Sequence, residues 1–396
     1  MNRFITRVLV IIVSVSSSLV AFGQTLPTGQ EVRYNPISTA VPFLTITPDS
    51  RHGAMGDVGV ATSPDANAQY LNPSKYAFTE GKFGFSMSYT PWLRELVNDI
   101  NLAYLSGYYR IDNVSVIGSS LRYFSMGDIT LTGQDQTALG TVSPSEFAFD
   151  MSYSRKLSDN FSGGVALRYI RSDLSGGIGT ETYTAGNAFS TDVSFYYINQ
   201  WGGTGNSKSI AAGINFSNIG SKISYDQGST KEFLPANLRI GSTFTTEIDD
   251  YNSFSISMDF NKLLVPTPST KYTVGTDGAL IVLPDNTSNQ SVISSIFGSF
   301  SDAPGGFKEE LQEFTVSTGA EYWYNKQFAL RAGYFNEAQN KGNRKFFTAG
   351  VGVKMNIAAI DFSYVIPVHR NNPLANTIRF TLLFDVDSFS SKKKDL

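Results

Sequence analysis

The sequence predicts an all-β protein: a fourteen-stranded antiparallel transmembrane β-barrel with an N-terminal plug segment and short helices in its external loops. Three observations predict it, namely composition, period-two patterning, and a regular alternation of short and long connections. The 396 residues hold 31 Lys+Arg against 34 Asp+Glu, with 16% charged residues, 13% aromatic residues, 35 Gly and no Cys. Soluble domains carry about 25% charged residues, so low charge joined to aromatic enrichment points to a surface that faces lipid. No window beyond the N-terminus approaches 18 consecutive apolar residues. A membrane protein with this sequence therefore crosses by strands closed into a barrel.

The elements follow in chain order. Arg3 and Arg7 precede an apolar run from Val8 to Val20 and the small-residue site Ala21-Phe22-Gly23, the three parts of a secretory signal peptide over residues 1–23. The run is interrupted by serines and shorter than the roughly 20 residues a spanning helix needs. Residues 24–81 precede the first strand. Their core, Thr47 to Phe78, is rich in Gly and small residues with turn signals at Ser63-Pro64-Asp65 and Asn72-Pro73, and it reads as a plug at the periplasmic end of the barrel. The barrel itself is expected over 82–386, and a polar tail over 387–396 carries Lys392, Lys393 and Lys394.

Strands are expected near 82–91, 100–111, 113–124, 146–157, 161–173, 189–201, 208–217, 237–247, 252–262, 313–324, 326–336, 345–355, 357–366 and 376–386. In the first, Phe83, Phe85, Met87 and Tyr89 interleave with Gly84, Ser86 and Ser88; in the ninth, Phe254, Ile256, Met258 and Phe260 interleave with Ser255, Ser257 and Asp259. Such alternation is what a wall with lipid outside and water inside requires. Connections after even-numbered strands are brief, for example Asp112-Asn113 and Asn325, whereas those after odd-numbered strands are longer, up to 263–312. Short periplasmic turns and long external loops alternate in this way in outer-membrane barrels. The inward set includes Arg168, Arg239, Arg331 and Arg379 with Asp150, Asp259, Glu321 and Asp361. It reads either as a salt-bridge lattice that fills the lumen or as a selectivity filter.

Two sets of motifs carry a family resemblance. Gly53-Ala54-Met55-Gly56-Asp57, Asp65-Ala66-Asn67 and Asn72-Pro73-Ser74 resemble the N-terminal hatch of the FadL-type long-chain fatty-acid transporters, with Ser74 where that family usually has Ala. Thr47-Pro48-Asp49-Ser50-Arg51 leading into Gly56-Asp57-Val58-Gly59-Val60-Ala61-Thr62, with Tyr89-Thr90-Pro91-Trp92-Leu93 and Leu263-Leu264-Val265-Pro266-Thr267-Pro268, resembles the PorV (LptO) family over nearly the whole mature chain. That family is the outer-membrane component of the Bacteroidota type IX secretion system. The resemblance implies a FadL-like barrel in the cell outer membrane that receives secreted proteins bearing the type IX C-terminal domain from the giant translocon barrel. It also implies delivery to a sortase-like surface attachment complex. The hatch motif residues are then Asp49, Arg51, Gly53, Gly56, Asp57, Asp65, Asn72 and Pro73.

A closed wall offers no strand edge, so partners are expected at the rim. Trp92, Leu93, Leu96 and Val97 read either as an apolar anchor at an exposed tip or as part of the aromatic girdle. In the fifty-residue connection 263–312, which includes Pro266, helical spacing places Val292, Ile293, Ile296, Phe297 and Phe300 on one face, followed by a second short helix from Phe307. That stripe serves either to pack the loop on its own barrel or to dock a partner.

Other classes are set aside. No basic block suits nucleic acid, no metal or cofactor motif occurs, and the only histidines, His52 and His369, lie near no Gly-x-Ser-x-Gly elbow. Partners expected besides protein are outer-membrane lipids. The rival function is FadL-type passage of hydrophobic small molecules, which predicts a dry aliphatic lumen.

Overall fold

The computed structural model describes residues 34–94, 97–132, 137–176, 184–203, 205–226, 228, 230–268, 272–274, 280–282, 289–369 and 374–385. Fourteen strands close into one antiparallel barrel: β1 Phe83–Pro91, β2 Ile100–Arg110, β3 Ser115–Met126, β4 Ser145–Lys156, β5 Phe161–Asp173, β6 Gly186–Trp201, β7 Lys208–Gly220, β8 Asn237–Glu247, β9 Asn252–Leu263, β10 Thr315–Tyr324, β11 Phe328–Asn336, β12 Lys345–Met355, β13 Ala358–Pro367 and β14 Ile378–Asp385. Each pairs with its sequence neighbours, and β1 closes on β14 through Gly84–Asp385 to Tyr89–Phe380. The expected strands all form, with ends that move by a few residues. Two β-ribbons that the sequence did not announce, Ile129–Thr132 with Ala138–Val142 and Tyr272–Val274 with Leu280–Val282, lie inside long connections.

The wall follows from the period-two pattern. On β1, Phe83, Phe85, Met87 and Tyr89 face outward and exposed while Ser86, Ser88 and Thr90 are buried inward; outward apolar residues meet lipid and inward polar ones meet one another. Among the short connections, the β10–β11 turn places Asn325 and Lys326 at φ 52, and the β12–β13 junction places Asn356 at φ 49. Asn tolerates this left-handed region better than most residues, which is why Asn marks these turns. By the barrel rule the short-turn end faces the periplasm and the long-loop end faces outward.

Residues 35–81 run through the lumen from the long-loop end to the short-turn end. Asn35 N–H donates to the Asn340 carbonyl at 2.8 Å and Ala40 N–H to the Phe233 carbonyl at 3.0 Å, both in long connections. A 3₁₀ turn, Pro42–Thr45, is held by the Arg122 guanidinium, which donates to the carbonyls of Phe43 and Leu44. Helix α1, Ser50–Ala54, packs against β12, β13 and β14; helix α2, Ala68–Leu71, follows. A second 3₁₀ segment, Pro73–Phe78, meets β4 and β5, where Ser154 Oγ donates to the Pro73 carbonyl at 2.7 Å and Ser162 Oγ to the Ser74 carbonyl at 2.8 Å. Glycines at inward strand positions make room for this chain. A Cβ on Gly213 would lie 2.2 Å from the Val60 carbonyl oxygen, and one on Gly333 would lie 2.1 Å from the Met55 carbonyl carbon.

Candidate functional site

The hatch motif residues are structural parts of the lumen plug, and the structure brings several together. Asp49 caps α1, accepting from His52 N–H, and its carboxylate lies 2.6 Å from His52 Nδ1. Arg51 pairs with Asp65 at 2.8 Å and with Glu321 of β10 at 2.8 Å; Glu321 also takes Arg331 at 2.7 Å, and Arg331 reaches Asp361 at 2.5 Å. Burial alone would raise the Asp65 carboxyl, yet the Arg51 guanidinium overrides it and holds it below the ordinary value. Gly53 lies against Arg379, and Gly56, at φ +70, lies against the Tyr334 backbone. Asp57, at φ 64, turns the chain and sits 3.7 Å from Arg379. Asn72 caps the Pro73–Phe78 turn through Ser74 N–H and donates to the Val60 and Phe195 carbonyls.

One arrangement in the plug resembles a catalytic triad in composition only. His52 bridges Asp49 and Thr62 Oγ1, the latter at 3.1 Å, but all three are buried, with His52 at 0% exposure. Thr62 Oγ1 is already engaged by the Gly59 carbonyl and by Lys75 Nζ. A nucleophile that no substrate can reach serves as a clasp within the plug. Lys75 is also fully buried, and burial pulls its ammonium down to about 8.

Part of the inward set forms the lattice, with Arg168 held between Asp150 at 2.5 Å and Asp192 at 2.9 Å, while Arg239 donates to the Asp57 carbonyl instead of an acid. Asp259 accepts the Gly59 and Val60 N–H groups at 2.7 and 3.0 Å, binding the wall to the plug backbone.

Between the plug and the long loops lies a cavity of about 880 Å³. Its floor is formed by Pro42–Thr47, Asp57 and Tyr70; its walls mix Phe124, Phe346 and Val365 with Glu146, Arg239, Asn261, Glu337 and Arg344. Trp92 and Leu93 line it, half-buried, which corrects the expectation of an exposed tip. The period-two pattern ends at Pro91, and Leu93 takes φ 52, so the chain turns inward there. Val97 is exposed; Leu96 lies outside the described residues.

The long connection after β9 carries helices α3, Val292–Gly298, and α4, Phe307–Gln312, matching the two expected short helices. Their stripe is divided. Ile296 is turned toward the cluster formed by Leu238, Leu264 and Val265, while Ile293 is 69% and Phe297 75% exposed, and Phe300 is also exposed. Pro266 is buried in the packed stem of the loop, not exposed at its surface. Ion pairs fix α4 to the rim: Lys262 meets Glu310 at 3.2 Å and Glu313, and Lys341 meets Glu309 at 2.6 Å and Glu313 at 3.0 Å.

With this geometry in place, residues 29–270 match the family model described as type IX secretion system protein PorV. The chain belongs to the PorV family. It is accordingly an outer-membrane β-barrel of the type IX secretion system. Among solved structures it is similar to the toluene transporter TbuX of Ralstonia pickettii, at 13% identity and a TM-score of 0.47 over 86% of this chain and 97% of that one. It is also similar to the toluene transporter TodX of Pseudomonas putida, at 12% identity and a TM-score of 0.48 over 89% and 98%. A FadL homologue of Pseudomonas aeruginosa gives 12% identity and a TM-score of 0.44 over 89% and 99%. No curated protein matches the chain at a significant level.

Proposed function

We propose that this PorV-family barrel is a receptor and carrier: it holds a secreted protein by its C-terminal signal domain at the long-loop end and passes it from the translocon barrel to the surface attachment complex. The single observation that carries this reading is a plugged lumen beneath a cavity at the long-loop end. A barrel bonded shut below and recessed above suits retention of a ligand presented from outside. The wall favours polypeptide over hydrocarbon, because the Asn261 amide, the Arg239 guanidinium and the Glu337–Arg344 ion pair stand among its apolar residues. Passage of hydrophobic small molecules, the rival reading, calls for a drier wall than this one. On α3, which Ile296 seats against the loop stem, the exposed Ile293 and Phe297 supply an apolar contact surface for the same partner or for the translocon.

The test is affinity purification of the tagged barrel from its own outer membrane in mild detergent, followed by mass spectrometry. Co-purification of a very large barrel and of secreted proteins that retain their C-terminal domains is expected. Recovery of the barrel alone with bound lipid would refute the carrier reading in favour of lipid transport.

A further inference from the structure

Four carboxylates line the cavity, and three have a cation: Asp57 has Arg379, Glu313 has Lys262 and Lys341, and Glu337 has Arg344. Glu146 is the fourth. It stands at the start of β4 with only 2% of its surface exposed, and no Lys or Arg among the described residues pairs with it. Its Oε1 accepts from Ser172 Oγ at 2.6 Å, and Ser172 in turn accepts from Tyr225 Oη at 3.0 Å; its Oε2 has no hydrogen-bond partner. The surroundings are apolar, with Phe43, Leu44 and Phe124 on the same part of the wall.

A buried carboxylate with no cation is costly in a folded protein, and elsewhere in this lumen the cost is met by guanidinium groups or backbone amides. On a cavity wall the missing partner can come from a ligand. We infer that Glu146 is the polar end of a subsite for a lysine side chain of the bound cargo segment, an inference that rests on the carrier reading above. Phe124, half-buried with the buried Phe43 stacked on it, is the apolar surface for the aliphatic stem of lysine, and the ammonium donates to the buried Oε2 once the Glu146 side chain turns toward the cavity. Ser172 already engages Oε1, and Oε2 is the oxygen left without a partner. That suits a point-charge ammonium better than the bidentate fork of arginine.

The test is a double-mutant cycle on the full-length barrel in nanodiscs, titrated with a purified cargo signal domain. The barrel is wild type or Glu146→Gln, and the domain carries native or acetylated lysines, since acetylation removes the charge. Either change alone is expected to weaken binding about thirtyfold or more, and the two together no further than one. Glu146→Gln should melt no lower than wild type, because it removes an unpaired buried charge; Glu146→Met provides a second variant with the same expectation for affinity. Native-domain affinity left intact by both variants would overturn the subsite while leaving the carrier reading standing, as would fully additive losses. Failure of the wild-type barrel to bind the native domain would overturn both.

Discussion

Replacing Gly333 with Ala should loosen the seat of the plug while leaving the barrel closed. The added methyl would lie 2.1 Å from the Met55 carbonyl carbon and 2.2 Å from the Gly56 nitrogen, where contact between such atoms is comfortable only near about 3.5 Å. Both neighbours are backbone. Gly56 N–H is held by Thr348 Oγ1 at 2.8 Å, and its Cα faces the Tyr334 backbone, so the plug can yield only by moving more than about 1 Å. Overpacking of this kind costs about 1–3 kcal/mol, and loss of the Thr348 hydrogen bond adds about 1 kcal/mol. A total near 3 kcal/mol shifts the docked-to-displaced ratio by roughly a hundredfold. Single barrels in planar bilayers should then show open events that are rare in wild type, with a lower melting midpoint. Gly163→Ala is the matched control, since the nearest atoms there are side-chain carbons of Leu157 and Phe195 at 3.3 and 3.5 Å. A Gly333→Ala barrel as silent and as stable as wild type would refute the reasoning that the docked plug seals the lumen.

Arg51→Met leaves Asp65 without its cation and removes one of the two guanidinium partners of Glu321, so a loss of about 3–5 kcal/mol in plug stability is expected by denaturant titration; adding Asp65→Asn should recover part of it. Ile293→Asp with Phe297→Asp should leave the melting midpoint within about 0.5 kcal/mol of wild type, because both side chains are exposed, yet reduce co-purification of cargo or translocon; unchanged recovery removes α3 from the docking surface. For Lys75, burial lowers the ammonium to about 8 from an ordinary value near 10.4. Between these values the unfolded chain binds more protons than the folded one, so stability rises with pH by at most about 1.4 kcal/mol per unit. Wild type minus Lys75→Met, measured from pH 8 to 9.5, should isolate that rise, and a flat difference would show that Lys75 keeps its ordinary affinity for protons.

The barrel was legible because lipid outside and water inside impose one rule on every strand. Phe254, Ile256, Met258 and Phe260 can only face outward once Asp259 faces in. Inside the loops that rule lapses, and so the ribbon Ile129–Thr132 with Ala138–Val142 gave no signal. The same lapse explains Trp92 and Leu93, which lie just past the last alternating residue of β1. Helix spacing predicted α3 and α4 but not which side meets the barrel; only the approach of Ile296 to Leu264 and Val265 decides that. The contact between Arg51 and Glu321 joins residues 270 positions apart and has no local signature. A signal for the plug was nonetheless present in the strands, since Gly213, Gly319 and Gly333 occupy positions where the plug backbone approaches, and Gly241 and Gly350 positions where the Val60 and Ala54 side chains do. Glycine is a poor strand residue, and so many of them mark a close approach.

The way the plug is bonded bears on how a carrier of this kind would work. Its backbone amides and carbonyls are taken by wall side chains around the circumference: Asp259 binds Gly59 and Val60, Thr348 binds Gly56 and Ala54, Thr381 binds Ser50, and Ser154 and Ser162 bind Pro73 and Ser74. Displacing the plug would leave many of these buried polar groups unpaired at once, each at about 1–3 kcal/mol until water enters. Such a plug behaves as a fixed part of the wall and not as a gate that opens in each cycle. In the proposed role, then, binding and release must be governed at the long-loop end, by the cavity and by α3 and α4. The barrel wall is closed from β1 to β14, so the wall itself offers no free edge for adding a cargo strand, and open edges among the described residues belong to the two ribbons in the long connections. In the proposed role, recognition then falls to the side chains of the cavity and of α3 and to those ribbon edges, all at the long-loop end.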